Sequence, residues 1–75
     1  MRPVGEVLRV AGGVAVVRND DPPDIGTEVI SSDLDVVGRV VDIFGPVERP
    51  YVAVATSDGV APASLLGQRL YARSD

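Results

Sequence analysis

Asp42, Glu48 and Asp58 are the side chains whose type would suit a general acid or base. They lie in or beside turn-forming stretches, and no spacing among them places two in a shared pocket. Carboxylates in such positions are ordinarily solvated. The chain has no histidine and no cysteine, which removes imidazole catalysis, thiol nucleophiles, disulfides and the usual zinc ligand sets. Ala11-Gly12-Gly13 has neither the lysine nor the following helix of a phosphate loop and reads as a hairpin turn. No catalytic residue, cofactor or metal is expected.

The stretch Gly38–Val52, GRVVDIFGPVERPYV, has a different character. A hydrophobic strand runs into a Phe44-Gly45-Pro46-Val47 corner, crosses Glu48-Arg49 at its tip, and resumes as Pro50-Tyr51-Val52. Pro46 fixes its own φ, and Gly45 supplies backbone freedom where the chain turns. A corner built this way is rigid and loses little entropy on binding. Tyr51 combines a large apolar ring with a hydroxyl, a favoured interface anchor. Gly45, Pro46, Val47, Pro50, Tyr51 and Val52 are therefore the candidate partner-binding residues. Strand alternation sends Tyr51 and Val52 to opposite faces, which leaves one of them to the inner side.

The elements that must hold this corner are strands. Valine dominates the apolar residues, the apolar runs are short, and Gly, Pro, Asn and Asp punctuate them. Strands are expected at about Val4–Val10, Val14–Arg18, Thr27–Ser31, Val36–Phe44, Tyr51–Ala55 and Gln68–Arg73. A loop covers Asn19–Asp24, and a short helical turn covers Pro62–Leu66. Six short strands with close spacing predict an all-β fold, a small closed or nearly closed six-stranded barrel forming a single domain over residues 1–75. In the fourth strand, alternation puts Val36, Val40 and Phe44 on one face and Val37, Val41 and Ile43 on the other. Both faces are then largely apolar, so the outer one needs cover from the helical turn, a loop or another protein.

The 75 residues contain no lysine; seven arginines stand against eight aspartates and three glutamates, for a net charge of −4. That balance points to a high-salt cytoplasm and argues against autonomous nucleic-acid binding, which normally needs a basic patch. No apolar run approaches the roughly 20 residues of a membrane helix, and the first residues have no signal-peptide hydrophobic region. The expected setting is cytoplasmic, without membrane association.

The central segment resembles the core of the Gar-one family, the small β-barrel subunit of H/ACA ribonucleoproteins. The family pattern is a valine-rich strand, Asp-Ile/Val-Phe-Gly-Pro-Val, two variable residues and Pro-Tyr-Val, present here as Val40–Val47, Glu48-Arg49 and Pro50–Val52. Gly5–Leu8, Gly26–Val29 and Gly67–Tyr71 are similar as well, so the resemblance spans nearly the whole chain. It implies a six-stranded barrel that docks on the catalytic subunit of a dyskerin-type pseudouridine synthase in an archaeal-type cell. Guide RNA and substrate RNA would be met indirectly, through the complex. The subunit would not itself catalyse; it would act on a mobile loop that grips substrate RNA, helping loading and release, while the partner's aspartate makes pseudouridine. Two features depart from the pattern. The 75 residues include no glycine/arginine-rich stretch, so tail-borne RNA affinity is not expected, and Ala55-Thr56 stands where many members have lysine.

The alternative is a small barrel that binds RNA directly, or an assembly factor of another ribosome-biogenesis complex. Direct RNA binding would use exposed aromatics among Phe44, Tyr51 and Tyr71 and cations among Arg39, Arg49 and Arg69.

Salt should separate the charge expectation from an ordinary acidic surface. Thermal melts from low to molar potassium chloride should show the midpoint rising by roughly 4–8 °C for each 1 kcal/mol gained by screening. A midpoint that stays flat counts against adaptation to salt.

Overall fold

The computed structural model describes residues 1–73. Its six strands are β1 (Arg2–Ala11), β2 (Val14–Arg18), β3 (Glu28–Ser31), β4 (Val36–Phe44), β5 (Tyr51–Thr56) and β6 (Arg69–Ala72). They pair antiparallel in the order β1-β2-β5-β4-β3-β6, and β6 returns to β1 to close the barrel. The expected strands agree with these to within a residue or two at their ends. Gly12 and Gly13, both with positive φ, make the β1–β2 hairpin turn. A 3₁₀ turn, Pro62–Leu65, packs against β1 and β2 and sends Leu65 into the core.

Closure depends on irregularities in the two long strands. The pairing of β1 skips Val4 against β6 and Leu8 against β2. The pairing of β4 skips Val37 against β3 and Val41 against β5. Each such bulge bends its strand and increases its twist, which lets one strand serve two neighbours around a tight barrel.

The bulges also reset which residues face inward. Val4 and Val7 on β1, and Val37, Val40 and Ile43 on β4, all pack in the core. Their spacing is three residues, not two. The expected faces of β4 are corrected accordingly. Val40 and Val37 share the interior, while Val36 and Phe44 lie outside with Val41. Strict alternation fails because each bulge inserts one residue into the count. Val36, Val41 and Phe44 remain 38–45% exposed beside the exposed Arg39 and Asp42, so the outer face of β4 carries an apolar strip that the 3₁₀ turn does not cover.

The remaining interior comes from Ala15, Val17, Val29, Val52, Val54, Leu70 and Ala72. It is a core of small, mostly branched side chains, as the narrow interior of a six-stranded barrel requires. Among the described residues no buried side-chain polar atom lacks a partner. Every described carboxylate except the half-buried Glu28 is exposed, so the negative charge lies on the surface.

Gly38 marks the closest approach between strands. A Cβ there would sit 2.2 Å from the Ala55 carbonyl oxygen and 3.0 Å from Val54. The obstacle is backbone and cannot swing away. Gly38→Ala should cost about 1–3 kcal/mol or more, roughly 5–20 °C in the melting midpoint; a melt unchanged from the parent would contradict this close approach.

Candidate functional site

Phe44 ends β4 and Tyr51 begins β5, and the two are direct cross-strand partners. Between them the chain turns through Gly45 at φ +91°. A β-turn follows, closed by the Arg49 amide donating to the Pro46 carbonyl at 3.2 Å. Val47 and Glu48 therefore form the tip, one residue earlier than the expected Glu48-Arg49. Val47 is 94% exposed, an unusual position for a β-branched apolar side chain on a fixed turn.

Gly45 does two things at once. Its positive φ disfavours any residue with a side chain, and a Cβ would lie 2.8 Å from Tyr51 Cδ2. The Tyr51 ring thus lies against the bare backbone of the corner. Its ring centroid is 5.5 Å from that of Phe44, with the planes 26° apart, the offset stacking that aromatic quadrupoles favour.

Pro50 is buried. Its carbonyl accepts from the Asn19 amide at 3.1 Å. The Asn19 side chain donates to the Val4 carbonyl at 3.0 Å, and its Oδ1 accepts from the Asp21 amide at 2.8 Å. One asparagine therefore fastens the acidic loop after β2 both to β1 and to the base of the corner. That loop and the corner enclose a shallow groove of about 340 Å³, lined by Asp20, Pro22, Ile43, Phe44, Gly45, Pro46, Val47 and Pro50. It is apolar apart from Asp20.

Two arginines that the sequence expectation did not single out complete the site. Arg18 pairs across the sheet with Tyr51. Its guanidinium carbon lies 4.6 Å from the Tyr51 ring centroid, and its Nη2 donates to the Tyr51 hydroxyl. Arg9 approaches the same ring at 5.9 Å. Cation–π contacts of this kind contribute about 0.5–2 kcal/mol each, more where water is excluded. Cross-strand register creates this group, and register is not visible along the chain.

Of the six residues expected to bind a partner, Gly45, Pro46, Val47 and Tyr51 form the outer corner. Pro50 lies beneath it. Val52 is corrected to a core residue: it is 0% exposed and faces the barrel interior, because alternation from Tyr51 turns it inward. The watched arginines do not gather. Arg39 lies on β4 and donates to the Gly26 carbonyl at 3.3 Å, Arg69 lies on β6 opposite Glu6, and Arg49 alone stands at the corner. Asp42 accepts from the Ile43 amide at 2.8 Å beside the Val41 bulge, while Glu48 and Asp58 lie in separate exposed turns. Among the described residues no group of three potential metal ligands occurs.

The Gly45–Tyr51 contact makes its own test. Gly45→Ala should destabilise the domain by about 1–3 kcal/mol through backbone strain and displacement of the ring. The near-ultraviolet tyrosine signal should weaken even where the far-ultraviolet spectrum is retained. An unchanged aromatic signal would mean that the ring does not depend on the bare backbone.

Comparison with known proteins accords with this geometry. In an alignment of 75 residues the chain is 32% identical to an uncharacterized protein of Methanothermobacter thermautotrophicus, covering 95% of this chain and 82% of that protein. The Gar1/Naf1 RNA binding region matches residues 1–75. With that match spanning the barrel, the corner and its arginines, the chain belongs to the Gar1/Naf1 family of RNA-binding regions.

Proposed function

We propose that this chain is a non-catalytic subunit of an H/ACA guide-RNA-directed pseudouridine synthase complex. It docks on the catalytic subunit and assists loading and release of substrate RNA during rRNA pseudouridylation and ribosome biogenesis. The observation that carries the docking is Val47. A valine that is 94% exposed at the tip of a proline-stiffened turn has no role in the barrel's own core. Beside it, Pro46, Phe44 and Pro22 line an apolar groove. Family membership supports the wider assignment to RNA-associated machinery. On this proposal Gly45, Pro46, Val47 and Tyr51 make the contact, and Pro50 supports them from below. The setting remains a cytoplasm of high salt.

A second reading, direct RNA binding, draws on the family's description and on Arg9 and Arg18. The ring geometry weighs against a base-stacking mode. Phe44 lies against Tyr51 and Arg18 covers the same ring, so the Tyr51 ring is already engaged and, of this pair, Phe44 alone offers open aromatic surface to a nucleobase. The net charge of −4 opposes a phosphate backbone as well.

Co-purification at high salt with the synthase catalytic subunit from the same source decides between them. A stoichiometric complex without RNA is the expected outcome. Val47→Ser should weaken that complex by about tenfold, since burying a valine side chain contributes about 1.5–3 kcal/mol and 1.4 kcal/mol is a factor of ten. Retention that requires guide RNA would overturn docking in favour of direct RNA binding.

A further inference from the structure

Two arginines share the Tyr51 ring. Among the described residues the ion pairs are Arg2 with Asp21 at 3.3 Å and Arg73 with Glu28 at 3.1 Å. Arg9 and Arg18 join neither, nor do Arg39, Arg49 and Arg69; what sets the first two apart is the ring they share. Tyr51 holds both, and the hydrogen bond to its hydroxyl fixes Arg18 in place. A guanidinium stacked on a ring keeps its remaining N–H groups directed outward in a planar fork, a shape that fits a carboxylate.

The surroundings define what carries that carboxylate. On one side of Arg18, Asp20 and Asp21 line a groove that also takes in Arg49. Near Phe44, Asp42 is exposed. A polyanion with a charge at every nucleotide would meet these acids wherever it ran along the face. A protein segment with one carboxylate and otherwise apolar contacts needs to meet only Asp20 of these acids, in the otherwise apolar groove. The groove between Pro22 and Pro46 supplies those apolar contacts.

We propose that Arg9 and Arg18, held on Tyr51, receive a carboxylate of the docked protein, and that an apolar side chain next to this carboxylate enters the groove lined by Pro22, Phe44, Pro46 and Val47. This assignment rests on the docking reading above and names the partner chemistry that the corner selects. Tyr51 is then a positioning residue for the arginines as well as contact area. The apolar groove supplies affinity; the arginine pair sets orientation and steers approach.

The test uses the full chain and the purified synthase catalytic subunit, with binding measured by calorimetry across a range of salt. Arg9→Gln/Arg18→Gln should weaken binding about tenfold or more. Wild-type affinity should fall as salt rises, and in the double variant that dependence should flatten. Val47→Ser should weaken binding while keeping the wild-type salt slope. Melting curves check that each variant is folded. Should the double variant unfold, Arg9→Gln alone, which removes no hydrogen bond within the described residues, should still give a several-fold loss and a shallower slope. No wild-type binding would overturn the docking reading itself. Wild-type binding that Val47→Ser weakens and the arginine changes leave intact would overturn only the carboxylate assignment. Arginine variants that bind the subunit normally but lose retention of a 20-nucleotide single-stranded RNA (a length of about two site sizes) would overturn it in favour of phosphate.

Discussion

The bulged pairing of β1 and β4 is the constraint on which the molecule depends. Six strands of four to ten residues must meet around a narrow interior filled mainly by valine. Flat, regular strands would not close at that radius. The two long strands bend instead, and each then serves two neighbours. The same bends set the three-residue spacing of inward valines and turn Val36, Val41 and Phe44 outward. Gly38 belongs to this constraint, since the bent β4 passes so near the Ala55 carbonyl that no side chain fits. The exposed apolar strip of β4 is thus a by-product of closure, and it runs directly into the corner.

At that corner the economy is local. Gly45 lacks a Cβ, so the Tyr51 ring rests on backbone; the ring in turn aligns Phe44 on one side and two arginines about it. Asn19 fixes the base of the same corner to β1 and to the acidic loop. Three segments separated in the chain thereby present one surface. Its stiffness comes from glycine, proline and hydrogen-bonded asparagine rather than from a large core.

Much of this was legible in the residues themselves. β-Branched runs between Gly, Pro and Asp marked the strands, and β2 and β4 match their expected limits. The Phe-Gly-Pro-Val corner announced its rigidity through residue types whose backbone preferences are local. What stayed hidden depends on pairing. A bulge is a relation between two strands, so the faces of Val36, Val40 and Val41 could not be assigned from alternation. The partnership of Arg18 with Tyr51 spans thirty-three positions and exists only through β2–β5 register. Val52 followed its neighbour's alternation to the inside. Asn19 looked like one more polar loop residue, because its side chain's partners lie on a different strand.

Closure of the barrel has one more consequence. With β6 returning to β1, every strand among the described residues has a neighbour on both sides, so an extended peptide finds no full-length sheet edge to extend, only the short stretches of β1 and β4 that pair on one side. A partner that bypasses those short stretches grips the domain through side chains and loop tips, leaving the backbone ladder untouched. Its recognition can therefore be rewritten one surface residue at a time, while the scaffold beneath stays the same.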